Sequence, residues 1–253
     1  MQKTIASLVE IIRHLQLVKN EDQHKSLLAR LAAKQEKPTV VSWLNSNALT
    51  LAQKDQTLAV HLLKSDFLLR DGVGISILLH CLKWDSGLNM NGTDLIPEIV
   101  RTYAGRKVAL FGTHEDFLSR AAESIEKMGC KVVLRMDGFQ EPEDYLKQLT
   151  KHEADLVILG MGVPKQEEVA FYLASRLTRP ALILNGGAIL DFLAGRFPRA
   201  PKIWRQLRLE WVFRILQEPL RLGRRYTVGG VLFFILTARI VRAMKPNALV
   251  SNV

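Results

Sequence analysis

The stretch Ala154 to Glu168, ADLVILGMGVPKQEE, holds the residue types and spacing most readily turned to chemistry. Leu156-Val157-Ile158-Leu159 is a short apolar run of the kind shown by a strand buried on both faces. Gly160 and Gly162 turn the chain with no side chain in the way, and Pro164 carries the φ of a first helical turn. Glu167 and Glu168 follow where carboxylates favour the helix dipole. A strand, a tight glycine turn and a helix N-terminus leave backbone N–H groups facing open space, a ready anion site with Lys165 and Gln166 at its edge. An ordinary βα turn carries the same signature, so the surroundings must decide. Asp71 is the second candidate. It leaves an apolar run, Phe67 to Leu69, flanked by Arg70 and by Gly72 and Gly74, which would let a substrate approach. A general base belongs at such a strand exit; the alternative is that Asp71 caps the helix beginning near Ile75.

Several familiar machines are excluded by what is missing. There is no G-x-x-x-x-G-K-[ST] phosphate loop and no G-x-S-x-G elbow. None of the eleven Asp residues forms an Asp-x-Asp pair, the usual holder of Mg²⁺ on a nucleotide diphosphate, and the six His residues never fall at zinc spacing. Neither a metal nor a cofactor is expected. Cys81 and Cys130 sit in apolar contexts without a C-x-x-C, which favours a reducing compartment.

The elements that would position these residues alternate regularly. Residues 1–16 and Glu21 to Gln35 read as amphipathic helices, and Thr39 to Leu44 as a strand leading to Asn45. Helices follow over Ala48 to Gln53 and Leu58 to Lys64. After the Phe67–Leu69 strand, Asp71 to Gly74 reads as a turn and Ile75 to Leu82 as a helix. Thr93 or Asp94 is placed to cap a helix reaching Tyr103. From Arg106 onward four strand–helix units follow: strands at Lys107–Phe111, Val132–Leu134, Leu156–Leu159 and Ala181–Leu184, each with a helix behind it. That rhythm predicts an α/β fold, a Rossmann-like parallel sheet with helices on both faces. In such sheets ligands collect at the carboxyl ends of strands. Here those ends carry Gly112-Thr113, Asp137-Gly138, Gly160-Met161-Gly162 and Asn185-Gly186-Gly187, a grouping that suggests a nucleotide site.

Charge divides the chain at about Gly195. The formal net charge is +10, and the same +10 is carried by residues 196–253 alone, where twelve Lys and Arg face only Glu210 and Glu218. Residues 1–195 are therefore neutral overall, which suggests an α/β body followed by a basic helical appendage over 196–253. Trp204, Leu207, Trp211 and Ile215 recur at helical spacing, and Pro219 interrupts or restarts the helix. Tyr226 to Ala238 is uncharged but shorter than the roughly 20 residues of a membrane span. With Arg239, Arg242 and Lys245 behind it, it reads as a helix lying on a membrane surface, or else as a helical hairpin packed on its own body. Nucleic acid is disfavoured, since RNA binding calls for exposed aromatics among basic residues on a sheet or loop. The N-terminus, with Ile5, Leu8, Ile12 and Leu15 interrupted by Glu10 and Arg13, lacks the pattern of a signal peptide.

The segments LNSNALTLAQKD, RDGVGIS, NGTDLIP, GMGVPKQE, NGGAILDFLAGRFPRAPKIW and LEWVFRILQEPLRLGRRY, in this order from about Thr39 to Tyr226, resemble the WecG/TagA/CpsF glycosyltransferase family. The resemblance implies a metal-independent, inverting hexosyltransferase. It would move a hexose or N-acetylhexosamine from a UDP-sugar to a sugar on an undecaprenyl-pyrophosphate lipid, in exopolysaccharide, capsule or teichoic acid synthesis. It implies a location in the cytoplasm, peripheral on the inner face of the cell membrane, with a basic helical appendage docked on the anionic surface. Residue by residue, Asp71 matches the family's catalytic base and Asn45 an asparagine that holds donor or acceptor. Gln166 matches a glutamine near the nucleotide, and Arg214, Arg221 and Arg224 match tail arginines that reach the diphosphates. Gly112, Asp137, Gly160, Gly162, Gly186, Gly187 and Asp191 make up the nucleotide side. The chain departs from the family's Glu-Arg-Val-x-Gly, reading Leu88-Asn89-Met90-Asn91-Gly92, so that Asn89 stands at an active-site arginine; Trp43 stands where a threonine is frequent. The donor is thus open between N-acetylmannosamine and a plain hexose such as glucose, and homo-oligomer formation is left open. The competing reading is a nucleotide-binding or membrane-scaffold subunit of a two-component glycosyltransferase, without catalysis of its own.

Overall fold

The computed structural model describes residues 2–201, 203–204, 210–217 and 219–244. Six strands, β1 (Thr39–Leu44), β2 (Phe67–Arg70), β3 (Lys107–Gly112), β4 (Lys131–Met136), β5 (Leu156–Gly160) and β6 (Leu182–Asn185), form one parallel sheet in the order β2-β1-β6-β5-β3-β4. β1, β2, β5 and β6 are apolar runs buried along nearly their whole length, as expected of parallel strands covered on both faces. β4 closes one edge and is only partly buried, which is why its Val132-Val133-Leu134 core carries Lys131 and Arg135 beside it.

Helices cover both faces. On one face α2 (Glu21–Ala32), α6 (Gly92–Thr102), α7 (Glu115–Glu126) and α10 (Ile189–Leu193) pack Leu31, Ile96, Ile99, Leu118, Ile125 and Leu190 against Val41, Leu110, Ile158 and Leu184. On the other, α8 (Pro142–His152) and α9 (Lys165–Arg176) pack Tyr145, Leu149, Val169 and Leu173 against Phe111, Val157 and Ile183. The doubly wound α/β class follows from the alternation of strand and helix, as the sequence suggests.

A third cluster lies beside β1 and β2. Here α1 (Gln2–His14), α3 (Ser46–Ala52), α4 (Gln56–Leu63) and α5 (Gly72–Cys81) bury Leu8, Ile11, Ala48, Leu58 and Ile75 together with Phe233, Leu236 and Ile240. Those last three belong to α12 (Pro219–Met244), which follows α11 (Glu210–Gln217). Phe233, Leu236, Thr237 and Ile240 recur at helical spacing and are buried, whereas Val228, Val231, Leu232, Phe234 and Ile235 are exposed. The long helix thus packs one face on the body and turns an apolar opposite face outward. Its side chains at 221 and 224, which carry the expected arginine contacts, lie outside the described residues, as does Leu207.

Three local expectations change. Gly72-Val73-Gly74 is the first turn of α5, not a loop before it. The cap of α6 is Asn91, whose Oδ1 accepts from the Asp94 N–H at 3.0 Å, so neither Thr93 nor Asp94 serves that role. Pro164 occupies the position before α9 rather than its first turn. The inner and outer faces of α12 give a paired prediction. Leu236→Ala removes a buried side chain and should cost about 2–5 kcal/mol in denaturant unfolding, while the neighbouring Ile235→Ala should change stability by less than about 0.5 kcal/mol. Equal effects at the two positions would contradict this packing.

Candidate active site

Register brings the functional residues together. Leu44 pairs with Arg70 across β1 and β2, so Asn45 and Asp71, each one residue further on, emerge side by side. Leu159 pairs with Asn185 across β5 and β6, so the Gly160–Gly162 and Gly186–Gly187 turns also emerge together. These four exits line a cavity of about 400 Å³ that also takes in Trp43, Asn47, Thr93, Gln166, Asp191, Arg214 and Leu222. A second cavity of about 400 Å³ lies over the start of α5, between Ser46, Gly72, Gly74, Ser76, Leu88, Asn89 and Trp211. Both cavities are lined by Asn45, Asp71, Thr93 and Arg214.

Asp71 occupies the N-cap position of α5 but makes no side-chain capping bond. Its Oδ2 instead accepts from Asn45 Nδ2 at 3.5 Å, while Asn45 Oδ1 caps α3 through the Ala48 N–H at 3.0 Å. The structure therefore decides against the capping alternative for Asp71. The loop opposite it is held by Arg70, a buried residue that sequence reasoning passed over. Arg70 donates from Nε to Ser86 O at 2.8 Å, and from its two terminal nitrogens to Gly72 O at 3.2 Å and Gly87 O at 3.1 Å. Asn89 Oδ1 accepts the Gly72 N–H at 2.9 Å, so this side chain fixes the backbone beside Asp71 as well as lining the second cavity.

Gln166 differs most from its expected position at the edge of a turn. It is 4 % exposed, and its amide is engaged at both ends. Oε1 accepts from the Gly162 N–H at 3.2 Å and from the Gly187 N–H at 2.9 Å; Nε2 donates to Glu167 Oε1 at 2.9 Å and to Asn185 O at 3.4 Å. Two of the N–H groups expected to face an anion are thus donated to a side chain that ties the two glycine turns together. Gly162 (φ +78°) and Gly187 (φ +59°) take the left-handed backbone these turns require. Gly160 answers a different need: a Cβ there would meet the Leu190 side chain at 2.7 Å, so a larger residue would displace α10.

The remaining nucleotide-side residues separate. Asp191 lines the first cavity, where Oδ1 accepts from Thr113 Oγ1 at 2.6 Å and from Arg196 at 3.1 Å. Arg214 lies over the Phe192 ring at 4.9 Å, which orients its guanidinium toward both cavities. Gly112 and Asp137 lie outside the lining of either cavity: a Cβ on Gly112 would meet the Gly160 backbone at 2.5 Å, and the Asp137 carboxylate closes its own turn on Phe139 N and Gln140 Nε2. Trp43, Thr93 and Asn185 also line the first cavity; the sequence marks Asn185 only as part of a strand exit, Trp43 only as a departure from the family pattern and Thr93 only as a cap candidate. Trp43 donates its indole N–H to Met90 O and backs Gly92, and Arg199 pairs with Asp94, so the 90–94 segment is held from two sides. No polar periodicity marks Trp43 or Asn185 in the sequence; only their strand-end positions could have found them. Among the described residues no three His, Cys, Asp or Glu side chains gather as a metal site would need.

The parallel doubly wound sheet carries two cavities that meet at its carboxyl edge, where ligands of such sheets collect. Residues 13–247 match the model of the glycosyl transferase WecG/TagA/CpsF family, and the chain belongs to that family. It is therefore a glycosyltransferase of cell-surface polysaccharide synthesis.

Glu167 supplies a pH test of this geometry. Burial pushes its carboxyl up to about 7 from an ordinary 4.5, against the smaller opposing pull of the Gln166 amide. A raised carboxyl pKa gives stability that is complete below the unfolded value and lost as pH rises through the folded one. Glu167→Gln carries no such proton, so its stability advantage over wild type should grow by about 2–3 kcal/mol between pH 5 and pH 8. A difference between the two proteins that stays constant over that range would contradict the buried assignment.

Proposed function

We propose that the chain is an inverting, metal-independent transferase that moves a hexose or N-acetylhexosamine from a UDP-sugar to a sugar hydroxyl on an undecaprenyl-pyrophosphate lipid. The observation that carries this reading is the sharing of Asp71 and Arg214 by two cavities of similar size. In this reading the first cavity, floored by the glycine turns and carrying Arg214, holds the donor's diphosphate, and the second cavity holds the acceptor sugar. Asp71 accepts the proton as the acceptor oxygen attacks the anomeric carbon from the side opposite UDP. The new C–O bond forms as the bond to the β-phosphate breaks, and the electron pair leaves with UDP. The Arg214 guanidinium, with its fork of donors, stabilises that developing charge.

A sugar hydroxyl is a poor nucleophile until its proton is taken, and a positioned base contributes about 10²–10⁴-fold. Asp71→Asn keeps shape and polarity but accepts no proton. It should leave UDP affinity and melting temperature nearly intact while turnover falls at least about a hundredfold in steady-state assays with the lipid-linked acceptor. A folded Asn variant with near-normal turnover would end the general-base role; a wild-type chain that binds UDP but transfers nothing alone would favour the scaffold reading.

The acceptor's lipid requires a membrane surface nearby, and α12 supports one. Its stretch Thr227–Met244 is long and apolar enough to cross a membrane by length and composition, yet Phe233, Leu236 and Ile240 are buried on the body. A helix with that inner face committed is suited to lying along a surface. Val228, Val231 and Ile235 then face the lipid, with the exposed Arg239 and Arg242 at the headgroups. Replacing both Val231 and Ile235 with Ser should abolish co-sedimentation with anionic vesicles at low salt and leave the melting temperature unchanged. Undiminished vesicle binding would move the membrane contact elsewhere.

A further inference from the structure

Glu167 is the most deeply buried carboxylate at the site, and the mechanism above gives it no task. It is 1 % exposed, in the first turn of α9, next in sequence to a glutamine whose four amide contacts are all internal. Adjacent residues on a helix do not normally face one another, so the 2.9 Å bond from Gln166 Nε2 to Glu167 Oε1 depends on the helix start, where both side chains turn under the strand ends. The two backbone N–H groups of Gly162 and Gly187 can only donate, so they require the oxygen end of the Gln166 amide. An amide in that orientation presents its NH₂ to Glu167, which must offer an acceptor. Glu167 Oε2 and Asn185 Oδ1 are, among the described residues, buried acceptors with no hydrogen-bonding partner. A neutral carboxyl at Glu167 carries no buried charge and still leaves one oxygen to receive the Gln166 N–H.

We infer that Glu167 is a positioning residue that acts through Gln166. By accepting the Gln166 Nε2–H it fixes the orientation of that amide and so sets the spacing of the Gly162 and Gly187 turns. This inference rests on the reading that the donor nucleotide occupies those turns. It assigns Glu167 no contact with the donor. Glu167→Leu fills the volume and removes the acceptor; Glu167→Gln keeps an acceptor in a neutral group of the same shape.

The test is UDP affinity by calorimetry on the full chain, with a melting curve for each protein, for Gln166→Leu, Glu167→Leu, the double variant and Glu167→Gln. Gln166→Leu and Glu167→Leu should each weaken UDP binding about tenfold, the double variant should bind no more weakly than Gln166→Leu alone, and Glu167→Gln should stay within about threefold of wild type. Losses that add in the double variant, or a Glu167→Leu protein that melts lower but binds UDP as wild type does, would overturn the positioning role while leaving the nucleotide site in force. Wild-type UDP affinity in Gln166→Leu would overturn the nucleotide-site reading itself, and this inference with it.

Discussion

Because Leu44 pairs with Arg70 and Leu159 with Asn185, and β1 lies between β2 and β6, four strands of the sheet end at one edge. Asn45, Asp71 and the two glycine turns inherit their positions from that pairing. A slip of one residue in any of these strands would turn its side chains to the opposite face. Asp71 would then no longer stand beside Asn45, and the two glycine turns would no longer meet across Gln166. The burial of these strands on both faces is what enforces the register. Leu44, Leu68, Leu159 and Leu184 have no exposed surface to trade, so a shifted alignment would lose packing on both faces of the sheet.

On this edge the site divides into two halves with different physics. The half at β5 and β6 is built mainly from backbone, with Gly162 and Gly187 bridged by one amide. The Gly162 and Gly187 N–H groups are spent on that amide, so the two turns are locked to each other before any ligand arrives. The half at β1 and β2 is built from side chains, with Asn45 against Asp71 and Arg70 holding the Gly72 and Gly87 segments. Arg214, oriented by Phe192, belongs to both. α12 has a similar double role: its inner residues close the cluster with α1, α3 and α5, and Leu222 reaches the first cavity.

The alternation of apolar runs and helical periods made the sheet legible in the sequence, and the glycine-bearing exits marked its working edge. Local capping was less legible. Asn91 outcompeted Thr93 and Asp94 because it sits one turn earlier, where its side chain reaches the Asp94 N–H. Glu167 lies in the first turn of α9 as expected, but Gln166 departs from its expected place for a related reason. Polar residues at a helix start read as solvent-facing, and only the tertiary closeness of the Gly187 turn shows that Gln166 is drawn inward. Arg70 flanks the candidate base in the sequence, but nothing there shows that it is buried and donates to the carbonyls of Gly72, Ser86 and Gly87. Such residues depend on contacts far apart in the chain, which no local pattern encodes.

The central claim is a single displacement at the meeting point of the two cavities, with one carboxylate taking the acceptor's proton and no covalent sugar–enzyme stage. The anomeric configuration of the glycosidic bond formed from an α-linked UDP-sugar, followed by NMR from the first turnovers, tests it most directly. The account predicts a β-linked product from the outset, since one attack opposite UDP inverts the centre. An α-linked product would show two displacements or a front-side path, and would contradict it.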